Sequence, residues 1–249
     1  MCPGDRRGHP RLGRGDAMIG PYLLACLDMA GTTVRDDGAV EAAFAAALAA
    51  VGIEAQSERR AEAEVVVRET MGWSKADVFA RLLEPADAAT ATAAFAEAYE
   101  AQVAAGGAAA IPGALDVMRE LRRRGVAVCL TTGFAPSTRE ALLGALGWQG
   151  EVDLALSPAD VGRGRPAPDM ILGAMARLRV GDPVAVVVVG DTVSDLEAGA
   201  RADAGAIVGV LSGAHDEATL HAAPHTAIIT DVTELVPVLE ARADRITPS

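Results

Sequence analysis

The most constraining feature of this sequence is a run of six apolar residues, five of them valine, at Val184–Val189. β-Branched residues favour strands, and an apolar run without polar alternation suits a strand whose two faces are both buried. Tyr22–Leu27 and Val126–Leu130 are similar short runs, and Ala206–Val210 and Thr226–Ile229 are weaker examples. The pattern therefore predicts a parallel sheet that is covered on both sides.

Helical patterns lie between these runs. Apolar residues recur at helical spacing in five segments, which are Gly113–Arg124, Ser137–Leu146, Pro168–Leu178, Ser194–Ala202 and Val232–Arg242. Strands that alternate with helices along a chain are typical of an α/β domain. We therefore predict a doubly wound, Rossmann-like core with a parallel sheet.

One segment departs from this alternation. Residues 37–104 contain no strand pattern and are rich in alanine, glutamate and leucine. The helices predicted there are Val40–Val51, Glu58–Met71, Lys75–Leu83 and Ala86–Gln102. A crossover between parallel strands needs only about a dozen residues. This segment therefore predicts an all-helical subdomain, called the cap below, inserted into a core made of residues 19–36 and 105–249.

Composition excludes several classes of partner. The 249 residues carry a formal net charge of −12, which repels nucleic-acid phosphates and anionic membrane surfaces. No apolar stretch reaches the ~20 residues that span a bilayer, so we expect a soluble, cytoplasmic protein. Residues 1–18 lack the apolar centre of a secretory signal and are expected to be a solvated tail, or the product of translation begun upstream of Met18. Cys26 and Cys129 lie inside apolar runs, which predicts buried thiols rather than a disulfide.

Polar residues follow three of the predicted strands. Asp28 ends the first run, Thr131 and Thr132 end the second, and Asp191, followed by Asp195, ends the third. Ligands of open α/β sheets bind beyond the carboxyl ends of the strands. If these strands are neighbours, three carboxylates converge in one crevice, where they repel one another unless a cation binds. Mg²⁺ prefers such oxygen ligands and keeps positions open for water and phosphate, so we expect a magnesium site.

Four motifs in this order resemble those of the haloacid dehalogenase superfamily of phosphotransferring hydrolases. They are Asp28–Thr33 (DMAGTT), Leu130–Gly133 (LTTG), Arg165–Asp169 (RPAPD) and Gly190–Asp195 (GDTVSD). The resemblance covers nearly everything from Tyr22 onward. It implies a sheet domain with a helical cap after the first strand.

The resemblance implies catalytic roles for four residues. Asp28 is expected to be the nucleophile that accepts the phosphoryl group, which divides one hard step into two easier ones. Thr131 is expected to donate a hydrogen bond to a phosphoryl oxygen, with Thr132 close enough to share or exchange that role. Arg165 is expected to hold nucleophile and phosphate together.

The resemblance also implies a metal site and substrate contacts. Asp28, the backbone carbonyl of Ala30 and Asp191 are the expected Mg²⁺ ligands. Asp195 is expected to support those ligands through water or hydrogen bonds. The residues expected to contact the phosphoryl group or the substrate are Thr132, Gly133, Ala30, Gly31 and Met71.

Two positions differ from most phosphatases of the superfamily. Those enzymes carry a second Asp two residues after the nucleophile, which protonates the leaving alcohol and is worth about 10²- to 10⁴-fold in rate. Ala30 stands at that position here, and the base of the third motif is Arg165 rather than the usual Lys. The phosphonoacetaldehyde hydrolases (phosphonatases) and their close relatives share both differences, so an ordinary phosphate ester is expected to be a poor substrate.

Lys75 is the only lysine of the chain, and the other 21 basic residues are arginine. A positive charge does not require lysine, but an amine that forms a Schiff base with an aldehyde does, because arginine stays protonated. Lys75 follows Met71-Gly72-Trp73-Ser74, which resembles the cap motif before the Schiff-base lysine of phosphonatases. Met71 and Trp73 are expected to form an apolar wall that lowers the pKa of the amine.

An iminium at Lys75 would explain the missing acid at position 30. Cleavage of a carbon–phosphorus bond expels a carbanion, and an iminium on the neighbouring carbon accepts that electron pair as an enamine. The sequence therefore predicts a Mg²⁺-dependent hydrolase that cleaves the C–P bond of phosphonoacetaldehyde or a close analogue. Phosphonatases commonly have a His soon after this lysine, whereas this cap has none. A phosphonatase-like relative with a different carbonyl phosphonate as substrate therefore stays open.

Two other functions also stay open: a phosphomonoesterase, similar to phosphoglycolate phosphatases, that uses Asp28 without an imine, and a catalytically silent phosphate-binding module. The resemblance further suggests a homodimer. His221 and His225 have the spacing of metal ligands but no acidic or cysteine partner, so we expect them in a surface loop. Phe95 and Tyr99 have the spacing of packed helix residues and are not expected to contact substrate.

Overall fold

The computed structural model describes residues 18–246, so all of the predicted N-terminal tail except Met18 lies outside the described residues. The sheet has the strand order β3-β2-β1-β4-β5-β6, and every neighbouring pair is parallel. The strands are β1 Leu24–Asp28, β2 Ala127–Thr131, β3 Leu154–Leu156, β4 Val186–Gly190, β5 Ala206–Val210 and β6 Ala227–Ile229. This is the predicted doubly wound α/β fold.

Helices cover both faces of the sheet. In chain order they are α1 Ala39–Ala50, α2 Glu58–Glu69, α3 Lys75–Leu82, α4 Pro85–Gln102, α5 Ala114–Arg123, α6 Pro136–Leu146, α7 Asp169–Leu178, α8 Val193–Arg201, α9 Glu217–His221 and α10 Leu235–Ile246. Alternate residues of a strand point to opposite faces. Ala25 and Leu27 of β1 therefore pack in one core cluster with α5, α6 and α10, while Leu24 and Cys26 pack in another with α7.

Three elements differ from the sequence prediction by more than two residues. The strand β3 was missed because it is three residues long and, unlike β6, contains no β-branched residue. The helix α9 was missed because five residues are too few to show helical periodicity. The last helix begins at Leu235 rather than Val232, because residues 232–234 form a 3₁₀ turn in which the Asp231 side chain accepts a hydrogen bond from the backbone N–H of Thr233.

Helices α1 to α4 occupy the segment between β1 and the return to the core, followed by a single π-helical turn at Val103–Gly107. Aromatic side chains fill the space between these helices. The Phe44 ring lies 5.4 Å from Phe79 and 4.9 Å from Phe95, between ring centroids. Phe95 and Tyr99 are both buried on α4, so the interpretation of their spacing as helix packing is confirmed.

The cap is joined to the core by hydrogen bonds at the loop that connects α2 and α3. The backbone N–H of Lys75 donates to the carbonyl oxygen of Gly133 at 3.2 Å. The Ser194 hydroxyl donates to the carbonyl oxygen of Met71 at 2.9 Å. Because Gly133 follows β2 and Ser194 follows β4, this loop lies above the carboxyl ends of the central strands.

Two further expectations concern the chain as a whole. Cys26 and Cys129 are buried free thiols on neighbouring strands, as predicted. Among residues 18–246, no helix is both long enough and apolar enough to cross a bilayer.

Candidate active site

The strand order brings the predicted site residues to one edge of the sheet. β1 lies between β2 and β4, and Asp28 is in register with Thr131. A cavity of about 280 Å³ opens beyond these strand ends, between the core and the cap. The sequence-predicted site residues on its wall are Asp28, Ala30, Gly31, Met71, Lys75, Thr132, Gly133, Arg165 and Asp191.

Arg165 joins two of the buried carboxylates. Its Nη1 lies 2.6 Å from Asp28 Oδ1 and also contacts Asp195 Oδ1. Its Nε is buried and has no hydrogen-bond partner, which is the single such side-chain atom among the described residues. A buried donor without a partner costs about 1–3 kcal/mol. An anionic group bound in the cavity would supply the missing acceptor.

Asp191 and Asp195 are oriented differently. Asp191 accepts hydrogen bonds from the Thr32 hydroxyl at 3.3 Å and from the backbone N–H of Ala214 at 2.7 Å. Asp195 forms a capping box with Thr192 at the start of α8, with 2.6 Å from the Thr192 hydroxyl to Oδ2. Since its other oxygen contacts Arg165, both oxygens of Asp195 are used in positioning neighbouring groups.

The three carboxylates fit a divalent cation. One oxygen from each of Asp28, Asp191 and Asp195 lies within 4.8 Å of the others. Burial, together with the neighbouring carboxylates, raises the pKa of Asp28 well above its ordinary range, although Arg165 opposes this shift. Burial and Asp195 raise the pKa of Asp191 to about 7. One arginine therefore does not neutralise the cluster, and hard oxygen donors of this kind suit Mg²⁺.

The turn after β1 is shaped by Gly31, which has a φ of 87°. Its backbone N–H donates to the carbonyl oxygen of Val34 at 2.8 Å. A Cβ at this position would overlap the Asp191 carboxylate, so only glycine allows the turn to approach so closely. This packing places the Ala30-Gly31 backbone on the cavity wall beside Asp28.

The two threonines after β2 have different surroundings. The cavity wall includes Thr132 but not Thr131. The Thr131 hydroxyl lies 3.5 Å from the carbonyl oxygen of Leu27 on the neighbouring strand. Thr132 Oγ1 accepts a hydrogen bond from the backbone N–H of Phe134 at 3.2 Å, which leaves its own proton available to a ligand. Of the two, Thr132 is therefore better placed to contact a phosphoryl oxygen.

Lys75 reaches the cavity from the cap, at the first position of α3. Its Nζ is 5.2 Å from the centroid of the Phe44 ring, 5.4 Å from that of Phe134 and 5.6 Å from that of Phe95. We call these three residues the aromatic cage. Burial, together with the charge of Arg165, lowers the pKa of Lys75 to about 8, against the opposing effect of nearby carboxylates. About one tenth of the amine is therefore unprotonated at pH 7, far more than for a solvated lysine.

Sequence reasoning missed several residues of this site. Met71 and Trp73 line the cavity, as expected of an apolar wall. The rings that surround the Lys75 amine are nevertheless those of the aromatic cage. The Trp73 ring lies 6.0 Å from the Arg81 guanidinium instead. Phe134 directly follows the LTTG motif, which was a usable signal. Asp36 and Glu41 also line the cavity, and nothing in the local sequence distinguishes them from exposed acidic residues.

The histidine pair lies outside this site. His221 is the last residue of α9, whereas His225 lies in the loop that follows, so the expectation of a surface loop was wrong for His221 alone. Its Nδ1 is 3.3 Å from His225 Nε2, and Glu217 lies 3.5 Å from its other nitrogen. Among the described residues, the single cluster with metal-ligand geometry is the aspartate triad, not these histidines.

Comparison with known proteins agrees with this arrangement. A model of the haloacid dehalogenase-like hydrolase family matches residues 22–203. A phosphonoacetaldehyde hydrolase from Bacteroides fragilis is 33% identical over 130 residues, which is 50% of this chain and 49% of that protein. The match therefore spans about half the length of that relative. "Probable phosphatase IndB" from Dickeya dadantii is 30% identical over 218 residues, covering 86% of this chain and 91% of that protein.

Two solved structures have similar folds. A phosphonoacetaldehyde hydrolase-like protein from Oleispira antarctica gives a TM-score of 0.76 at 26% identity, covering 96% of this chain and 99% of that one. A hydrolase from Pseudomonas syringae gives a TM-score of 0.77 at 24% identity, covering 91% of this chain and 100% of that one. At that identity the second comparison supports the fold alone.

Proposed function

The chain belongs to the haloacid dehalogenase-like hydrolase family, and from this premise we propose that it hydrolyses the C–P bond of a small phosphonoaldehyde. The observation that carries the proposal is that Lys75 and Asp28 line one cavity. Asp28 carries a carboxylate beside Arg165, and Lys75 carries an amine with a lowered pKa inside the aromatic cage. An ordinary phosphatase uses the first group but has no need of the second.

The proposed reaction begins at the carbonyl end of the substrate. Lys75 Nζ adds to the carbonyl carbon, and loss of water leaves an iminium. Asp28 then attacks phosphorus, and the electron pair of the breaking C–P bond moves into the neighbouring C–C bond to give an enamine. This step needs no acid at Ala30, because no oxygen leaving group is expelled.

Two hydrolytic steps complete the cycle. Water attacks the phosphorus of the aspartyl phosphate, which regenerates Asp28 and releases inorganic phosphate. The enamine takes up a proton at carbon, and water hydrolyses the resulting imine to free Lys75 and the aldehyde product. Overall one water is consumed for each C–P bond broken.

The side chains around phosphorus stabilise the charge that moves there. Arg165 holds Asp28 in place and offers its unpartnered Nε to a phosphoryl oxygen. The Thr132 hydroxyl donates a hydrogen bond to another phosphoryl oxygen. We propose that Asp28, Asp191 and the backbone carbonyl of Ala30 bind Mg²⁺, with Asp195 orienting Arg165. When bound, Mg²⁺ neutralises the carboxylates and the phosphoryl oxygens so that one anion can attack another.

A phosphomonoesterase is the second candidate. It is favoured by the relative named a probable phosphatase, which matches 86% of this chain, whereas the phosphonoacetaldehyde hydrolase match covers half of it. Such an enzyme would use Asp28 and Arg165 in the same way. It would have to protonate its leaving group without a carboxyl at position 30.

Borohydride trapping tests the proposal. The Mg²⁺-loaded protein is incubated with phosphonoacetaldehyde and borohydride, and its intact mass and peptide map are measured. We expect one reduced adduct at Lys75 and release of phosphate without borohydride. Because Lys75 is the only lysine, Lys75→Arg removes the adduct site and should abolish both signals.

Asp28→Asn is the matched control, because it removes the nucleophile and leaves the amine in place. This variant should still form the adduct while releasing no phosphate. If the wild-type protein forms no adduct and releases no phosphate, phosphonoacetaldehyde is excluded as a substrate. Rapid hydrolysis of phosphate esters by Lys75→Arg would favour the phosphomonoesterase.

A further inference from the structure

The active-site cavity has two ends of different chemistry. Arg165, Asp28 and Asp191 lie at the end where the phosphoryl group is proposed to bind. The buried, unpartnered Nε of Arg165 points independently to an anionic ligand there. Lys75 and Phe134 line the cavity as well, and we place the rest of the substrate beside them.

Two further carboxylates, Asp36 and Glu41, line the cavity beside the start of α1. Asp36 accepts a hydrogen bond at 3.1 Å from the backbone N–H of Val40, and its charge acts on Lys75. Glu41 precedes Phe44 by three residues on α1, so the two side chains share one face of the helix. Because the Phe44 ring centroid lies 5.2 Å from Lys75 Nζ, Glu41 lies one helical turn from a residue of the aromatic cage.

The cavity has no net positive charge that could bind a second anionic group besides the phosphonate. The charged side chains on its wall are the carboxylates of Asp28, Asp36, Glu41 and Asp191 and the cations of Lys75 and Arg165. One Mg²⁺ would bring this set to neutrality, and a phosphonate group then adds two negative charges. Among the described residues, neither Asp36 nor Glu41 forms an ion pair with an arginine or lysine, whereas the neighbouring Asp37 pairs with Arg35 at 3.0 Å.

We infer that Asp36 and Glu41 determine which substrates bind, by rejecting any whose end remote from phosphorus is a carboxylate and accepting those whose remote end is neutral or carries an amino group. The inference rests on the proposed function in placing the phosphoryl group beside Arg165. It extends that function because it states which substrates are excluded: small phosphates and small phosphonates that carry a carboxylate should bind more weakly than phosphonoaldehydes. A carboxylate at the remote end would lie near two like charges, of which Asp36 is half-buried and Glu41 is exposed, and their repulsion weakens binding.

Binding of unreactive phosphonates tests this inference without any catalytic step. Three compounds share a two-carbon spacer and differ at the remote end: 2-aminoethylphosphonate, propylphosphonate and 3-phosphonopropionate. Their dissociation constants are measured by titration calorimetry on the Mg²⁺-loaded full-length protein. We expect 3-phosphonopropionate to bind about tenfold more weakly than propylphosphonate, and 2-aminoethylphosphonate to bind at least as tightly.

Charge-removing variants assign the effect to the two residues. Asp36→Asn and Glu41→Gln should each tighten binding of 3-phosphonopropionate by about three- to tenfold and leave propylphosphonate unchanged. Asp37→Asn is the matched control, because it removes the same charge at a neighbouring exposed position that does not line the cavity. It should change none of the three constants.

The outcomes separate this inference from the proposed function. Equal binding of the three compounds to the wild-type protein, or equal effects of Asp36→Asn on all of them, overturns the charge selection and leaves C–P cleavage to be judged by borohydride trapping. Failure of all three to bind overturns the selection together with the placement of the phosphoryl group. The selection is established if the wild-type protein and Asp37→Asn show the predicted order of the three dissociation constants and if Asp36→Asn and Glu41→Gln lose it.

Discussion

At the scale of single residues, the amine of Lys75 is set apart by its surroundings. It is buried beside the three rings of the aromatic cage, and the charge of Arg165 acts on it from the other part of the site.

The pH dependence of imine formation follows from the environment of Lys75. Its pKa is lowered to about 8 by burial, and only the unprotonated amine attacks a carbonyl. We therefore expect the initial rate of borohydride-trapped adduct to rise about tenfold per pH unit below pH 8 and to level off above it. The rate is measured between pH 6 and 9.5 at constant ionic strength. A rate that still rises tenfold per pH unit up to pH 9.5 would show that the amine keeps the ordinary pKa of a solvated lysine.

Ala30→Asp should convert part of the activity into ester hydrolysis. A carboxyl at this position can protonate a departing alkoxide, so hydrolysis of an alkyl phosphate such as 2-hydroxyethyl phosphate should rise by about 10²-fold or more. p-Nitrophenyl phosphate is the control substrate, because its phenolate leaves without protonation and its rate should change little. Ala30→Ser controls for the added side chain. Equal gains on both substrates would contradict a role as acid.

The residues of the site differ in how far the sequence predicts them. Asp28 and Asp191 were predictable because parallel strands end at the same edge of the sheet, and Lys75 was predictable from its motif. Phe44 and Asp36 were not, because their approach to Lys75 depends on how α1 packs over the core. Local patterns reveal strands and helices, whereas contacts between distant side chains arise only from packing.

At the scale of elements, the loop between α2 and α3 fixes the cap against the core. Gly72 has a φ of 84°, and a Cβ there would overlap Thr192 Oγ1 and lie 3.1 Å from the Ser194 Cβ. We expect Gly72→Ala to push the loop away from the core and to lower kcat/KM by about tenfold or more, because Lys75 follows three residues later and would move with it. The measurement is kcat/KM for phosphate release alongside thermal unfolding.

Gly52→Ala is the matched control for this variant. Gly52 also lies in the cap with a φ of 76°, but a Cβ there would have no neighbour within 4 Å. It should lose roughly 1–2 kcal/mol of stability from backbone strain and keep its kcat/KM. If both variants lose activity equally, strain in the backbone rather than contact with the core is responsible.

At the scale of the whole molecule, the fold brings three buried carboxylates together and pairs them with one arginine, so their negative charge is not fully neutralised. In the metal-free protein, Asp191 has a pKa raised from 3.8 to about 7, and that of Asp28 is raised as well. Between pH 4 and 7 the folded state therefore holds protons that the unfolded state has released, so the contribution of these groups to stability falls as pH rises. Mg²⁺ bound to the deprotonated carboxylates would reverse this loss.

Removal of Mg²⁺ should consequently matter more at higher pH. We expect Mg²⁺ at a hundred times its Kd to raise the Tm by about 5–10 °C at pH 7.5, and by clearly less at pH 5.5. Differential scanning fluorimetry with and without a chelator measures both. Asp191→Asn should reduce the Mg²⁺-dependent rise and flatten the pH dependence of the metal-free protein. A rise of equal size at both pH values would argue against binding at these carboxylates.

The aromatic cage is assembled from both parts of the molecule, since Phe44 and Phe95 belong to cap helices and Phe134 to the core. Rings so close to an amine shield nearby nuclei by their ring currents, and the chain has a single lysine to observe. Reductive methylation with ¹³C-formaldehyde would therefore place one isotopic label on a side chain at this junction, besides the chain's terminal amine. Its chemical shift would report how closely the three rings pack around the amine, so this one side chain would act as a spectroscopic probe of the contact between the two parts of the molecule.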